Sequence, residues 1–296
     1  MLKRIVREIR NFEGITRKSN IRIVKDFFKN VQFSEKIEIG IGDDAAVLRN
    51  SDEYLIFSVD GVLPKLVREE PYAAGKASVM LNVNDIYAMG GRPIAMVNVI
   101  SSSNIKRFQE ILKGIAKGCE KFKVPMVGGH IHPDSEEDSL VVAIVGTAKH
   151  LLLSNTAKPG QRLILAVDLK GKTGCRTVKS WDSSSGKTSE EVLERLETLC
   201  LIAEKGLCKA AKDVSMGGIL GTVAIFLESS GTGGKIYIDK IPKPRRIEMI
   251  DWLKAFLSFG FVLSADIEYV DEILRLFQIK KITANVIGEV KENRVV

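Results

Sequence analysis

The chain of 296 residues contains no apolar run of transmembrane length, no internal repeat and no low-complexity stretch. Its charged N-terminus has neither an apolar signal core nor a cleavage site, so a cytoplasmic protein with no membrane role is expected. Four cysteines, at 119, 175, 200 and 208, form no Cys-x-x-Cys pair; neither a disulfide framework nor a zinc site is indicated, and reduced core thiols are expected. A Walker phosphate loop is missing too. Gly171-Lys172-Thr173 and Gly186-Lys187-Thr188 have the right ending, but Ala166 and Trp181 stand where the first glycine belongs.

What is present is a nearly half apolar composition, long enough for two domains with cores. The net charge of +7 is concentrated at the start: residues 1–36 hold 10 Lys and Arg against 4 Asp and Glu, and the rest is almost balanced. This basic arm lacks interleaved aromatics for base stacking, which argues against nucleic acid and for a solvated helix face. Residues 3–12 and 20–31 read as short basic helices covering the edge of the first domain.

Two adjacent acids mark the most informative stretch. Ile37, Ile39 and Ile41 alternate as in a half-buried strand, Gly40 and Gly42 leave the backbone open, and Asp43 and Asp44 follow where the chain should turn. The pair reads equally as a solvated turn or as a metal or phosphate site, since neighbouring carboxylates repel unless a cation or water neutralises them. Gly40-x-Gly42-x-x-Ala45 also fits a loose dinucleotide fingerprint with Asp60 downstream, but a pyrophosphate would face two carboxylates, and Asn50-Ser51-Asp52 breaks any following helix.

A strand over 54–60 leads to Pro71, which opens an apolar helix running to Gly90-Gly91. Ser78, Asn82 and Asp85 form a polar stripe on it at spacings of four and three, and the stripe is expected to face a site. Strands at 94–101, 124–130 and 140–147 surround a helix at 104–121. Lys158-Pro159-Gly160 starts a second unit, with strands at 162–167, 235–239, 260–265 and 284–290 and helices at 189–211, 219–229, 245–258 and 269–277. A polar loop is expected at 181–188. Asp213-Val-Ser215-Met-Gly217-Gly218 forms a small-residue turn whose helix could receive an anion. The pattern is a mixed α/β fold of the α+β type.

Gly-Ile-Gly-Asp43-Asp44-Ala-Ala-Val-Leu, Ser58-Val-Asp60, Asn82-Val-Asn-Asp85-Ile-Tyr-Ala-Met-Gly-Gly, Val-Gly128-Gly129 and Asp213-Val-Ser215-Met-Gly-Gly, in that order, resemble the aminoimidazole ribonucleotide synthetase-like (PurM-like) superfamily. The resemblance covers about residues 37–290 and is greatest to archaeal synthetase-related proteins grouped as methanogenesis markers. It implies a two-domain architecture: a basic arm at 1–36, an ATP- and Mg²⁺-binding domain at 37–153 that forms a homodimer, and a C-terminal α/β domain at 154–296. By position, Asp43, Asp60 and Asp85 match magnesium and phosphate-binding acids of the kinase branch, and Asp213 and Ser215 match second-domain contacts. Asp44, Ser58, Asn82, Gly128 and Gly129 complete the implied nucleotide set, and Asp43, Asp60, Asp85 and Asp213 the metal set. The short strands 37–42 and 54–60 are expected to offer edges that pair with a second copy.

Within the superfamily the chain departs from each characterised branch. Thiamine-monophosphate kinases carry Gly-Gly-Asp where His130 follows Gly128-Gly129, and Asp-x-Ser-Asp where Met216 stands. No cysteine precedes Cys119, as selenophosphate synthetases need, and the chain ends Arg294-Val-Val without the reactive cysteine of the hydrogenase-maturation dehydratase. The resemblance therefore implies an ATP-dependent phosphotransferase or ligase-type enzyme acting on an oxygen of a small molecule. Thiamine-monophosphate kinase and a non-catalytic nucleotide-binding regulatory or assembly subunit are the alternatives.

Overall fold

The computed structural model describes residues 2–16, 24, 27, 28 and 34–293. Its first sheet has six strands: β1 (Ile37–Ile39), β2 (Ala46–Asn50), β3 (Glu53–Gly61), β4 (Arg92–Ser101), β5 (Met126–His132) and β6 (Ser139–Ala148), in the order β1-β2-β3-β6-β4-β5. β6 alternates half-exposed and buried residues along its whole length, as a strand with one covered face must. β3 is an interior strand between β2 and β6, which corrects the expectation that 54–60 offers a pairing edge. The unforeseen partner is β2: Ser51 adopts a left-handed φ of 53°, so the Asn50-Ser51-Asp52 break is a hairpin turn rather than an end.

Helix α3 (Pro64–Glu69) was not anticipated and leads into α4 (Pro71–Ala88); α5 (Ile105–Phe122) packs beside α4. Gly75 and Gly114 set that spacing. A Cβ on Gly75 would overlap the Ile111 carbonyl oxygen, and one on Gly114 that of Tyr72. α4 has no lysine or glutamate along its C-terminal two thirds because it touches both the first sheet and the second, leaving no solvent face there.

The second sheet is antiparallel, in the order β10-β13-β7-β14-β11. Its strands are β7 (Arg162–Val167), β10 (Ala210–Asp213), β11 (Gly233–Ile236), β13 (Gly260–Ala265) and β14 (Thr283–Lys291). On central β7, Ile164 and Ala166 join the core shared with the first sheet, and Leu163, Leu165 and Val167 join a core on the other face. Helices α6 (Ser189–Glu204) and α9 (Ile267–Ile279) cover the shared side, and α7 (Gly218–Ser229) the other. A small third sheet joins β8 (Lys172–Thr173), β9 (Ser180–Asp182) and β12 (Phe256–Leu257).

Two expected helices shrink. The helix 189–211 stops at Glu204, where Gly206 takes a left-handed φ of 66°, and the following Ala210–Asp213 is strand β10. Of 245–258 only α8 (Met249–Leu253) is α-helical, because Phe256 and Leu257 pair with β9; a short apolar run suits either structure until its neighbours are known. Residues 2–16 of the basic arm pack on the second domain, not on the edge of the first. On α1 (Leu2–Arg10), Ile5 enters the second core and Glu8 pairs with Lys254, while Gly14 and Ile15 of α2 (Glu13–Thr16) meet Met216 and Gly221. Most of the expected helix 20–31 lies outside the described residues.

Candidate functional site

Alternation on β3 puts Ile56, Ser58 and Asp60 on the face that carries α4. Ser58 Oγ accordingly donates a hydrogen bond to Asp85 Oδ2 on that helix. The turn after β1 brings in Asp43 and Asp44, and the end of β10 brings in Lys212 and Asp213 from the second domain. Asp44 Oδ1 accepts from Lys212 Nζ, and its Oδ2 accepts from the Asp213 backbone N–H at 3.2 Å. Oxygens of Asp44, Asp85 and Asp213 lie within 4.8 Å of one another, with Asp85 and Asp213 buried.

So many acids in one place shift their protonation. Burial, and then the charges of Asp60, Asp213 and Asp44, push the Asp85 carboxyl well above the ordinary carboxylate range, against the opposing hydrogen bond from Ser58. Burial by itself lowers the Lys212 pKa, but Asp44, Asp213 and Asp43 outweigh it and raise the pKa. Burial first and then Asp44 raise Asp43.

Asp43 lies beside the group of three acids rather than within it. Its Oδ1 accepts from Asp44 N–H at 2.8 Å and its Oδ2 from Ser154 N–H at 2.9 Å, which ties the turn to the segment after β6. Asp44, expected among the nucleotide contacts, is the one whose oxygen lies within 4.8 Å of those of Asp85 and Asp213.

These groups open onto a cleft of about 1870 Å³ between the domains. Asp43, Asp44, Ser58, Asp60, Asp85, Asp213 and Ser215 all line it; Asn82, Gly128 and Gly129 do not. Asn82 is fully buried and donates to the Ser78 carbonyl at 2.9 Å, while Ser78 bonds back to Gly75 O at 2.8 Å. Of the expected polar stripe only Asp85 reaches the cleft; the Ser78 hydroxyl and the Asn82 amide N–H bond to carbonyls of their own helix, and the Asn82 Oδ1 is buried with no partner among the described residues. Gly128 and Gly129 lie on β5, an edge strand on the far side of the first sheet, with exposed His130 and His132 edge to face at 4.7 Å.

Away from the acids the cleft is basic. Lys76 of α4 donates to Ser185, and Lys121 of α5 to the Lys187 carbonyl, pinning the polar loop after β9 to the first domain. Burial, followed by the charges of Lys117 and Lys76, lowers the Lys121 pKa. Thr188 of the second Gly-Lys-Thr decoy is the N-cap of α6, closing a capping box with Glu191. Sequence reasoning missed Lys212, Lys76 and Lys121. For Lys212 a signal existed, a charge directly beside Asp213 at the end of Ala210-Ala211, but a helix expected over 189–211 gives it no partner.

Among proteins of known sequence, a Methanocaldococcus jannaschii protein without a described activity is 42% identical over 294 residues, covering 98% of this chain and 91% of that protein. An uncharacterized Synechocystis protein is 36% identical over 291 residues, with coverages of 98% and 90%. Among solved structures, Thermotoga maritima PurL complexed with ATP superposes with a TM-score of 0.74 at 20% identity over 92% of this chain, which spans half the length of that protein. AaThiL complexed with AMPPCP and TMP superposes with a TM-score of 0.73 at 18% identity, covering 95% of this chain and 94% of that one. At such identities these two likenesses speak for the fold. Residues 42–149 match the family of the AIR synthase related protein, N-terminal domain, and residues 158–296 that of its C-terminal domain, so the chain belongs to the AIR synthase related proteins, with the mixed two-domain PurM-like fold.

Proposed function

We propose that the chain binds ATP with Mg²⁺ in the interdomain cleft and transfers the γ-phosphoryl group to an oxygen of a small molecule. The observation that carries this reading is the convergence of Asp44, Asp85 and Asp213 from three distant segments, with Asp60 beside Asp85. The donor set fits: all are carboxylate oxygens, the class that a hard cation takes, at a spacing that one or two such ions can share. Bound there, Mg²⁺ would neutralise charge on the triphosphate, and this chain's residues would align the reactants in a cleft between two domains. In the transfer, the acceptor oxygen bonds to the γ-phosphorus, the bond to the bridging oxygen breaks, ADP leaves with that electron pair, and any acceptor proton passes to solvent or a cleft carboxylate.

Thiamine monophosphate is a poor candidate acceptor. Met216 stands where that kinase branch carries an acid, and α2 packs against this turn: a Cβ on Gly14 would overlap the Met216 carbonyl oxygen, and Gly14, Ile15 and Thr16 line the cleft. Calorimetry with ATP and Mg²⁺ on wild type and Asp85→Ala tests the binding; equal affinity in both sinks it. A screen of metabolites for ATP consumption tests turnover. Tight binding with no turnover under any condition would favour the second reading, a regulatory or assembly subunit, which His130 and Met216 in place of acids motivate.

A homodimer through the first domain is part of the proposal. Phe57, Val59, Val97 and Val99 are exposed on one face of the first sheet, the face opposite α4, and register places Gly128 and His130 on it too. Gly128 and Gly129 would then approach a nucleotide only in the assembled pair.

A further inference from the structure

Lys212 is a buried ammonium among carboxylates, its side chain 7% exposed and that of its partner Asp44 3% exposed. It comes from β10, and the next residue on that strand, Asp213, gives its backbone N–H to the other Asp44 oxygen. Both Asp44 oxygens are therefore held by one strand of the second domain, one of them by a full positive charge. Five carboxylates, those of Asp43, Asp44, Asp60, Asp85 and Asp213, bear on this small region, and a lysine inside such a group does electrostatically what a bound cation does.

We propose that Lys212 is a resident cation of the site: its ammonium takes up a position between Asp44 and Asp213 that a divalent ion would otherwise occupy, so the chain holds one ion fewer than its acids alone would hold. Lys212 is thus a positioning residue for Asp44. It holds the Asp44 carboxylate in one orientation, with one oxygen on the ammonium and the other on the Asp213 N–H, while Asp44 stays within 4.8 Å of the Asp85 and Asp213 oxygens. The inference rests on the metal-binding reading above, but it concerns how many ions bind rather than whether any does.

The test counts Mn²⁺ bound per chain by electron paramagnetic resonance of the free ion, in full-length wild type, Lys212→Met and Lys212→Arg, and follows thermal unfolding of each in chelator and in Mn²⁺. The expected result is one additional Mn²⁺ in Lys212→Met, with the remaining ions bound about tenfold more tightly, and the wild-type count in Lys212→Arg. Lys212→Met should melt below wild type in chelator and recover in Mn²⁺, because the ion replaces the ammonium. A loss that Mn²⁺ does not restore, with an unchanged count, would overturn the proposal and leave Lys212 an ordinary structural ion pair. Should Lys212→Met not fold, the double variant Asp44→Asn/Lys212→Gln swaps the ion pair for a neutral one; it should bind no more Mn²⁺ than wild type, and an added ion would overturn the assignment of the extra position to Asp44. Absence of Mn²⁺ from every variant would instead sink the metal-binding reading itself, a result distinct from equal counts above zero.

Discussion

Asp43 and Asp44 are neighbours in the chain with separate duties: Asp43 ties its own turn to Ser154 through backbone amides, and Asp44 crosses to Lys212 in the second domain. Substituting each in turn separates folding from binding. Asp43→Asn puts an amide donor against a backbone N–H and should cost about 1–3 kcal/mol of stability in urea unfolding. Asp44→Asn should instead weaken Mg²⁺-ATP binding by about tenfold or more, equivalent to about 1.4 kcal/mol, in calorimetry.

Protonation of Asp85 makes stability depend on pH in a definite direction. The unfolded carboxyl titrates near its ordinary 3.8, while in the folded chain burial and neighbouring acids hold the proton to higher pH. The folded state binds more protons between the two values, so stability falls as pH rises through that window. Without divalent ions, Asp85→Asn should melt above wild type at about pH 8, and the difference should fade toward about pH 4. Mg²⁺ should reverse the ranking, since only the carboxylate gains from the cation. Equal melting curves across the range would refute the account.

Thiol labelling should divide the cysteines in two. Burial pushes the Cys200 and Cys208 thiols up to about 12, so both should react with a disulfide reagent only after unfolding. Cys119 and Cys175 are partly exposed and should react in the native protein. Cys175 lines the cleft, so ATP with Mg²⁺ should slow its labelling and leave Cys119 unchanged, as peptide mapping would show.

Glu70 is a latch between the domains. Its Oε1 accepts from the backbone N–H of Arg176 and Thr177 and from Thr177 Oγ1, at 2.9, 2.8 and 2.8 Å. Glu70→Ala should release the segment between β8 and β9 at a cost of about 1–3 kcal/mol, and trypsin should cut after Arg176 severalfold faster than in wild type.

The apolar face of the first sheet predicts the assembly state. Light scattering at micromolar concentration should find wild type dimeric and the Val59→Asp/Val97→Asp double variant monomeric, with helix content by circular dichroism retained. A monomeric wild type would refute the dimer.

Local signals made much of the architecture legible. The alternation of 37–41, the Pro71 and Gly90-Gly91 boundaries of α4, and the buried strands at 162–167 and 260–265 depend on neighbours a few residues away, and the structure places those elements where expected. Where local sequence was ambiguous it misled. Ala210–Asp213 is too short to show a period, so only pairing with β13 makes it a strand, and the polar stripe on α4 was read without knowing that Ser78 and Asn82 bond to their own helix.

The acids were visible one by one; their grouping was not. The Asp43-Asp44 pair and Asp85 stood out because paired acids in a turn and an acid on an apolar helix need a reason, Asp60 entered through the family resemblance, and residue type supplied the oxygen donors that suit a hard cation. That Asp44 rather than Asp43 faces them depends on which way two adjacent side chains leave a turn, and that Lys212 meets Asp44 depends on a contact across 168 residues. The amino-acid order determined which chemical groups the site has at its disposal. Only the packing of two sheets around α4 decided which of them converge, because a carboxylate's charge state and reach are set by the burial and neighbours that a chain acquires when it folds.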